Sequence, residues 1–231
     1  ERLVGSEMCI RDRNQSRFAR KITITSSNTR SSRRNTKMRV ESFFGKDIAP
    51  LIPRLAELRI KVFHDFPYLY EGSLDYEKDY LKVYTNSPRS VLVAAFDGDT
   101  LVGAATALPL SDEADYVRGP FLKAKMNLDE IYYFGESVLL KEYRGHGLGH
   151  QFFDGREAAA KKFGFHTTVF CGVQRPSDHP MRPEGYSPLD EFWKKRGYAK
   201  QENLRSEFSW QDIGESAETK KPMIYWMKSL C

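Results

Sequence analysis

The sequence predicts an α/β domain, and three observations carry the prediction. From Met38 onward, short runs rich in β-branched and aromatic residues alternate with stretches whose apolar residues recur at helical spacing. Two of those runs are separated by Asp97-Gly98-Asp99-Thr100, whose Asp-Gly step supplies the positive φ of a tight hairpin. A further run, Ile131 to Leu140, leads into the turn Arg144-Gly145-His146-Gly147-Leu148-Gly149 and then into a stretch holding Ala158, Ala159 and Ala160.

The elements follow in order. Val40 to Phe44 reads as a strand. Ile48, Leu51, Ile52, Leu55, Leu58 and Val62 predict a first helix, with Asp47 as its N-cap and Pro53 in its first turns. Phe66 to Ser73 has no period and reads as a loop, and Leu74 to Tyr84 as a second helix. The hairpin strands are Ser90 to Phe96 and Leu101 to Ala107, followed by a polar helix over Asp112 to Met126 and the buried strand Ile131 to Leu140. Gly149 to Phe163 is helical, closing on Lys161, Lys162 and Gly164, which suit a helix C-terminus. Thr167 to Val173 is a strand, Gln174 to Pro188 a loop with four prolines, and Leu189 to Arg196 a short helix. Glu207 to Gln211 and Met223 to Lys228 form a terminal pair of strands.

Charge divides the chain. Of the net +5 carried by 231 residues, residues 1–37 contribute +7, from ten Lys and Arg against three acids, which leaves −2 for the remainder. A mildly acidic body offers no electrostatic footprint for nucleic acid. Residues 7–13 resemble the translated end of a transposon adapter used in sequencing libraries, and residues 14–37 have no apolar period. We therefore expect residues 1–37 to be a non-native or disordered leader and the domain to run from 38 to 231, with an Arg- and Ser-rich targeting segment as the alternative. No stretch reaches the 18 or so apolar residues of a membrane helix, so no membrane partner and a cytoplasmic protein are expected. Cys9, Cys171 and Cys231 show no Cys-x-x-Cys or His-Cys spacing, which argues against a disulfide framework and a structural zinc site.

The chemistry concentrates in the glycine turn. A strand, an Arg-Gly-x-Gly-x-Gly turn and a helix make an anion site, because glycines let main-chain N–H groups turn inward and the helix N-terminus adds partial positive charge. The Gly-Lys-Ser/Thr ending of a P-loop and the G-x-G-x-x-G of a dinucleotide fold are both missing.

The run Val138-Leu139-Leu140-Lys141-Glu142-Tyr143-Arg144-Gly145-His146-Gly147-Leu148-Gly149 resembles the signature of the GNAT superfamily of acyl-CoA N-acyltransferases. Phe192-Trp193-Lys194-Lys195-Arg196-Gly197-Tyr198 resembles its second motif, and the order of elements agrees over Met38 to Leu230. The resemblance implies a mixed, mostly antiparallel central sheet flanked by helices and an N-acetyltransferase that moves an acetyl group from acetyl-CoA to a primary amine by direct attack. The acceptor would be a small molecule or a peptide, and no metal is required. Main-chain groups of Val138, Leu139 and Leu140 would pair with pantetheine, and Arg144, Gly145, His146, Gly147, Leu148 and Gly149 would hold the pyrophosphate. Monomer and homodimer both stay open.

Glu136 is the candidate general base, because strand alternation puts it on the face of Val138 and Leu140. The family's general-acid tyrosine position holds Trp193, which cannot donate that proton, so Tyr186 is the candidate replacement. Asp178, His179, Arg182 and Tyr186, with Phe66 to Tyr70, are candidates for setting acceptor choice. Cys171, inside a β-branched strand, reads as a packing thiol. The alternative function is a coenzyme A-binding module without turnover, which Trp193 favours.

Overall fold

A computed structural model describes residues 38–230. The readings of residues 1–37 and of Cys231 concern positions outside the described residues. Seven strands form one sheet: β1 (Met38–Phe44), β2 (Val91–Asp97), β3 (Thr100–Pro109), β4 (Ile131–Leu139), β5 (Thr167–Val173), β6 (Ala199–Trp210) and β7 (Thr219–Ser229). Their spatial order is β1-β2-β3-β4-β5-β7-β6. Every neighbouring pair is antiparallel except β4 and β5, which run parallel, so the mixed, mostly antiparallel sheet expected from the sequence is the one observed.

Helices cover both faces: α1 (Ile52–Phe63), α2 (Leu74–Tyr80), α3 (Lys82–Asn86) and α4 (Asp115–Lys123) on one, α5 (Leu148–Lys162) and α6 (Asp190–Lys195) on the other. The first core packs Leu55, Leu58 and Val62 of α1, Tyr80, Tyr84 and Phe121 against Tyr133, Val138 and Tyr225 of the sheet. The second packs Phe152, Phe153 and Trp193 against Phe134, Phe170 and Trp226. Large aromatics are buried on both faces, and each removes a large apolar area from water.

Some boundaries differ from the sequence reading. The first helix begins at Ile52, with Pro53 in its opening turn, and Asp47 falls inside a preceding 3-10 turn over Gly45–Leu51 rather than capping α1. The second helix is split at Leu81, and its start is fixed by the Ser73 hydroxyl, which accepts from the Tyr76 N–H at 3.4 Å. β6 extends back to Ala199, much further than the apolar signal, because it is an outer strand whose first half is mostly exposed and polar.

Two features of β4 shape everything that follows. Ala105 pairs with Ser137 and Ala107 with Phe134, so Thr106 alone opposes Gly135 and Glu136, which defines a β-bulge. Without the extra residue Tyr133 and Val138 would point to opposite faces, yet both lie in the first core. Next, β4 and β5 pair only from Ile131↔Thr167 to Tyr133↔Val169. Beyond Tyr133 the two strands part, and a gap opens toward their C-terminal ends.

Candidate active site

The glycine turn lies at the end of that gap. After β4 the chain makes one 3-10 turn over Lys141–Tyr143, and Gly147, at φ +78°, forms the N-cap of α5. A residue with a Cβ is strained at that φ, so glycine here is a conformational requirement. The N–H groups of Gly145, His146, Gly147, Leu148 and Gly149 have no hydrogen-bond acceptor among the described residues, and the first donation of the helix comes from His150 to the Gly147 carbonyl at 3.0 Å. Nothing lies within 4 Å of the space above the Gly147 Cα. A row of unspent donors at a helix mouth, opening into free space, is the geometry that receives a diphosphate. His146 and His150 are exposed, the latter packed on the Phe192 ring.

The gap above this turn offers main-chain groups in a definite phase. Leu140 donates its N–H to the Val102 carbonyl at 3.0 Å, so Leu140, and Val138 two residues earlier, turn their main-chain groups toward β3. This corrects the expectation that Val138 and Leu140 present main-chain groups to a ligand. In an antiparallel pair those groups alternate, and it is Leu139 and Ser137 whose groups face the gap. The Leu139 carbonyl accepts from the Arg144 Nε at 3.2 Å, so the arginine of the turn braces the end of the strand.

Arg144 also reaches a shallow surface cleft walled by Val62, Asp65, Phe66, Pro67, Tyr186 and Leu189 among others. Asp65 sits 2.9 Å from the Lys141 Nζ and 3.9 Å from an Arg144 Nη. The two loops singled out in the sequence meet here. The Phe66 ring stands edge-on to Tyr186 at 4.7 Å and lies 5.6 Å from His179, and the Arg182 guanidinium lies 4.9 Å from the Tyr186 ring centre.

What holds Phe66 there is a pair that the sequence reading missed. Arg175, at the end of β5, donates to the carbonyls of Pro67 (2.7 Å) and Tyr68 (2.8 Å) and forms a two-pronged pair with Asp212 at 2.7 and 2.9 Å. The Trp210 indole adds a donation to the Tyr68 carbonyl at 2.9 Å. Residues far apart in sequence thus pin one wall of the cleft, and no local pattern announces them.

Glu136 does not line this cleft. It is fully buried at the bulge, on the face of Val138, within a polar cluster. Arg59 of α1 bridges it to Glu77 of α2: the guanidinium contacts a Glu136 carboxylate oxygen at 2.6 Å and Glu77 more closely still. Tyr84 and Tyr80 donate to the same Glu136 oxygen at 3.1 and 3.4 Å. Burial pushes the Glu136 carboxyl above the ordinary carboxylate range, opposed by Arg59 and by the hydroxyls of Thr106 and Tyr84, with Glu77 adding to the rise. From the other face Arg156 of α5 directs an Nη to the Glu136 carbonyl at 3.5 Å while stacked on Phe134 and Phe153, and burial lowers it to about 10. Both arginines interrupt an apolar helix stripe, Leu55-Leu58-Arg59-Val62 and Phe152-Phe153-Arg156-Ala159. A cation on a buried stripe demands a partner, and that was the signal available in the sequence.

Trp193 is 2% exposed and packs on Phe170 and Trp226, and Tyr198 is a core residue whose hydroxyl meets Thr168 and Glu157. Cys171 is fully buried with its sulfur 3.2 Å from the Tyr133 hydroxyl. Among the described residues no group of three His, Cys, Asp or Glu could hold a metal ion, and no helix is long and apolar enough to cross a membrane.

Residues 55–183 match the acetyltransferase (GNAT) family, and the chain belongs to that family. No curated protein matches the chain by sequence. Among solved structures it is similar to an acetyltransferase of the GNAT family from Streptococcus pneumoniae, at 12% identity over 84% of this chain and all of that one, with a TM-score of 0.52. It is also similar to a ribosomal-protein-alanine N-acetyltransferase from Brucella melitensis (11% identity, 83% and 99% covered, TM-score 0.54). An aminoglycoside 6'-N-acetyltransferase solved with coenzyme A is a further match (17% identity, 84% and 97% covered, TM-score 0.52). At these identities the likeness is one of fold.

Proposed function

We propose that this protein transfers an acetyl group from acetyl-CoA to the primary amine of a small molecule or peptide, by direct attack on the thioester. The observation that carries the reading is the continuity of two sets of main-chain groups: the unspent amides of Gly145 to Gly149 at the mouth of α5, and the groups of Ser137 and Leu139 turned toward the gap, of which the Leu139 carbonyl is held by Arg144. The first suits a diphosphate and the second an extended amide chain, and coenzyme A presents both, in that order. His146 and Leu148 contribute through main chain, and Arg144 braces the junction.

The acceptor amine, if it resembles a lysine side chain, has a pKa near 10.4, so about one molecule in a few thousand is neutral at pH 7. Removing its proton is therefore worth a dedicated base. We assign that role to Glu136, acting by way of water, since its carboxylate is buried. Tyr186, on the cleft wall, is the donor toward the departing thiolate, because Trp193 is sealed in the second core. Phe66, His179 and Arg182 around it select the acceptor.

The test is thiol release from acetyl-CoA with a panel containing spermidine, lysine amide, an alanine-initiated peptide, a lysine-bearing peptide and kanamycin, alongside calorimetric titration of acetyl-CoA. Turnover on at least one amine is expected. Tight acetyl-CoA binding with no turnover on any of them would instead favour a coenzyme A-binding module.

A further inference from the structure

Glu136 uses its two carboxylate oxygens unequally. Oε2 accepts from the Arg59 Nη1 at 2.6 Å, the Tyr84 hydroxyl at 3.1 Å and the Tyr80 hydroxyl at 3.4 Å. Oε1, equally buried, has no hydrogen-bond partner among the described residues. Three donors on one oxygen and none on its twin is a costly way to bury a carboxylate, because an unmatched buried acceptor loses its hydration without replacement.

The cluster is also unbalanced in charge. Arg59 is one guanidinium shared by two carboxylates, Glu77 and Glu136, and all three side chains are fully buried. Every element packed on Glu136 contributes: Arg59 from α1, Glu77 and Tyr80 from α2, Tyr84 from α3, Thr106 from β3, whose hydroxyl accepts the Glu136 N–H at 3.1 Å, and Arg156 from α5 on the main-chain carbonyl. Glu113, after β3, acts on Tyr80 and Tyr84 at longer range.

We propose that Arg59, Tyr80 and Tyr84 are positioning residues that occupy Oε2 of Glu136, so that Oε1 alone receives the proton of the acceptor amine, while Glu77, by drawing on the same guanidinium, sets how readily Oε1 does so. This rests on the reading of Glu136 as the base. In the step, one N–H bond of the ammonium breaks and its proton passes through water to Oε1, and the nitrogen uses the freed electron pair to form the C–N bond. The C–S bond then breaks with both electrons leaving on sulfur, and the second proton lost from that nitrogen balances the one that the thiolate takes up as it becomes the thiol. Because Oε2 is saturated, the proton cannot migrate to it without displacing a donor.

The proposal makes variants of opposite sign. Glu77→Gln removes the negative charge that competes for Arg59, so the carboxylate form of Glu136 is favoured. Tyr84→Phe removes a donor to the carboxylate form and keeps the ring packing. The readout is a nuclear magnetic resonance titration of the ¹³C-labelled glutamate carboxyls in the whole protein, with the Glu136 signal assigned through Glu136→Gln. The midpoint should fall by about one pH unit in Glu77→Gln and rise by about one in Tyr84→Phe. The acid limb of kcat/KM, measured with the panel amine that turns over fastest, should follow in the same directions, and Arg59→Lys should keep more of the wild-type profile than Arg59→Met.

Midpoints that stay put, or that move together in the two variants, overturn the proposal even where Glu136→Gln abolishes turnover. Full turnover in Glu136→Gln removes the base reading and this proposal with it. Thermal melts of Glu77→Gln and Tyr84→Phe identify any variant that has lost the fold, in which case the other supplies the sign.

Discussion

Replacing Gly147 by alanine separates the backbone geometry of the glycine turn from the stability of the helix that it opens. Gly147 sits at φ +78° and an added Cβ would meet no atom within 4 Å beyond the adjoining backbone, so the main cost is the left-handed backbone. That cost is about 1–2 kcal/mol. Gly164, at the other end of α5, has the same properties, φ +81° and open space, and serves as an internal control. If both variants keep the native backbone they lose similar stability. Only at position 147 can the turn escape its strain by abandoning the arrangement that aims the amides of Gly145 to Gly149 outward. Acetyl-CoA affinity should then fall by up to about 5–30-fold in Gly147→Ala, the factor that corresponds to such an energy, and stay at the wild-type value in Gly164→Ala. Gly147→Pro, which fixes φ near about −65° and deletes the N–H, should abolish binding. The assay is calorimetric titration of acetyl-CoA paired with urea denaturation of each variant. Wild-type affinity in Gly147→Pro would refute the placement of the diphosphate, and equal affinity losses at 147 and 164 would show that the effect travels through helix stability alone.

Other outcomes follow from the same structure. Arg175→Ala removes the donors that hold Pro67 and Tyr68 and breaks a buried pair, so unfolding free energy should drop by about 3 kcal/mol, the low end for such pairs because Lys221 still lies 3.3 Å from Asp212; acceptor KM should rise while acetyl-CoA affinity holds. Tyr186→Phe should lower kcat by about 100-fold if the hydroxyl serves the leaving thiolate, and unchanged turnover across pH would retire that role. Cys171→Ala should keep turnover, since direct attack needs no thiol relay; trapping of an acetylated Cys171 would contradict this. Glu136 has its carboxyl raised by burial, so the folded state holds its proton at pH values where the unfolded chain has lost it, and its contribution to stability declines as pH rises above the ordinary carboxylate range through the folded value. The melting temperature of Glu136→Gln relative to wild type should therefore climb between pH 4 and pH 8, and a constant difference would show that the carboxyl is not perturbed.

Much of this fold is legible in the sequence because its signals are local. The Asp97-Gly98 hairpin, the glycine turn at the mouth of α5 and the β-branched strand 167–173 each follow from a few adjacent residues. The polar half of β6 was not legible: an outer strand with one wet face needs no apolar alternation. Nor was the bulge at Gly135-Glu136, which exists only relative to β3, although it decides the face to which Glu136 turns. The site follows the same division. Its anion mount is local, whereas the partners of Glu136 on α1, α2 and α3, and the Arg175–Asp212 pair, are set by tertiary approach. The phase of the main-chain groups at Val138, Leu139 and Leu140 likewise needed the β3 register.

The sheet is a seam sewn at one end. Strands β1 to β4 and strands β5, β7 and β6 form two slabs whose shared ladder, among the described residues, spans three residue pairs. Coenzyme A, bound along the open stretch as proposed, would contribute the missing stitches, touching both slabs at once. Its binding energy is therefore also closure energy, and amide exchange should slow on occupancy along β5 as well as along β4, in residues that never meet the ligand's phosphates.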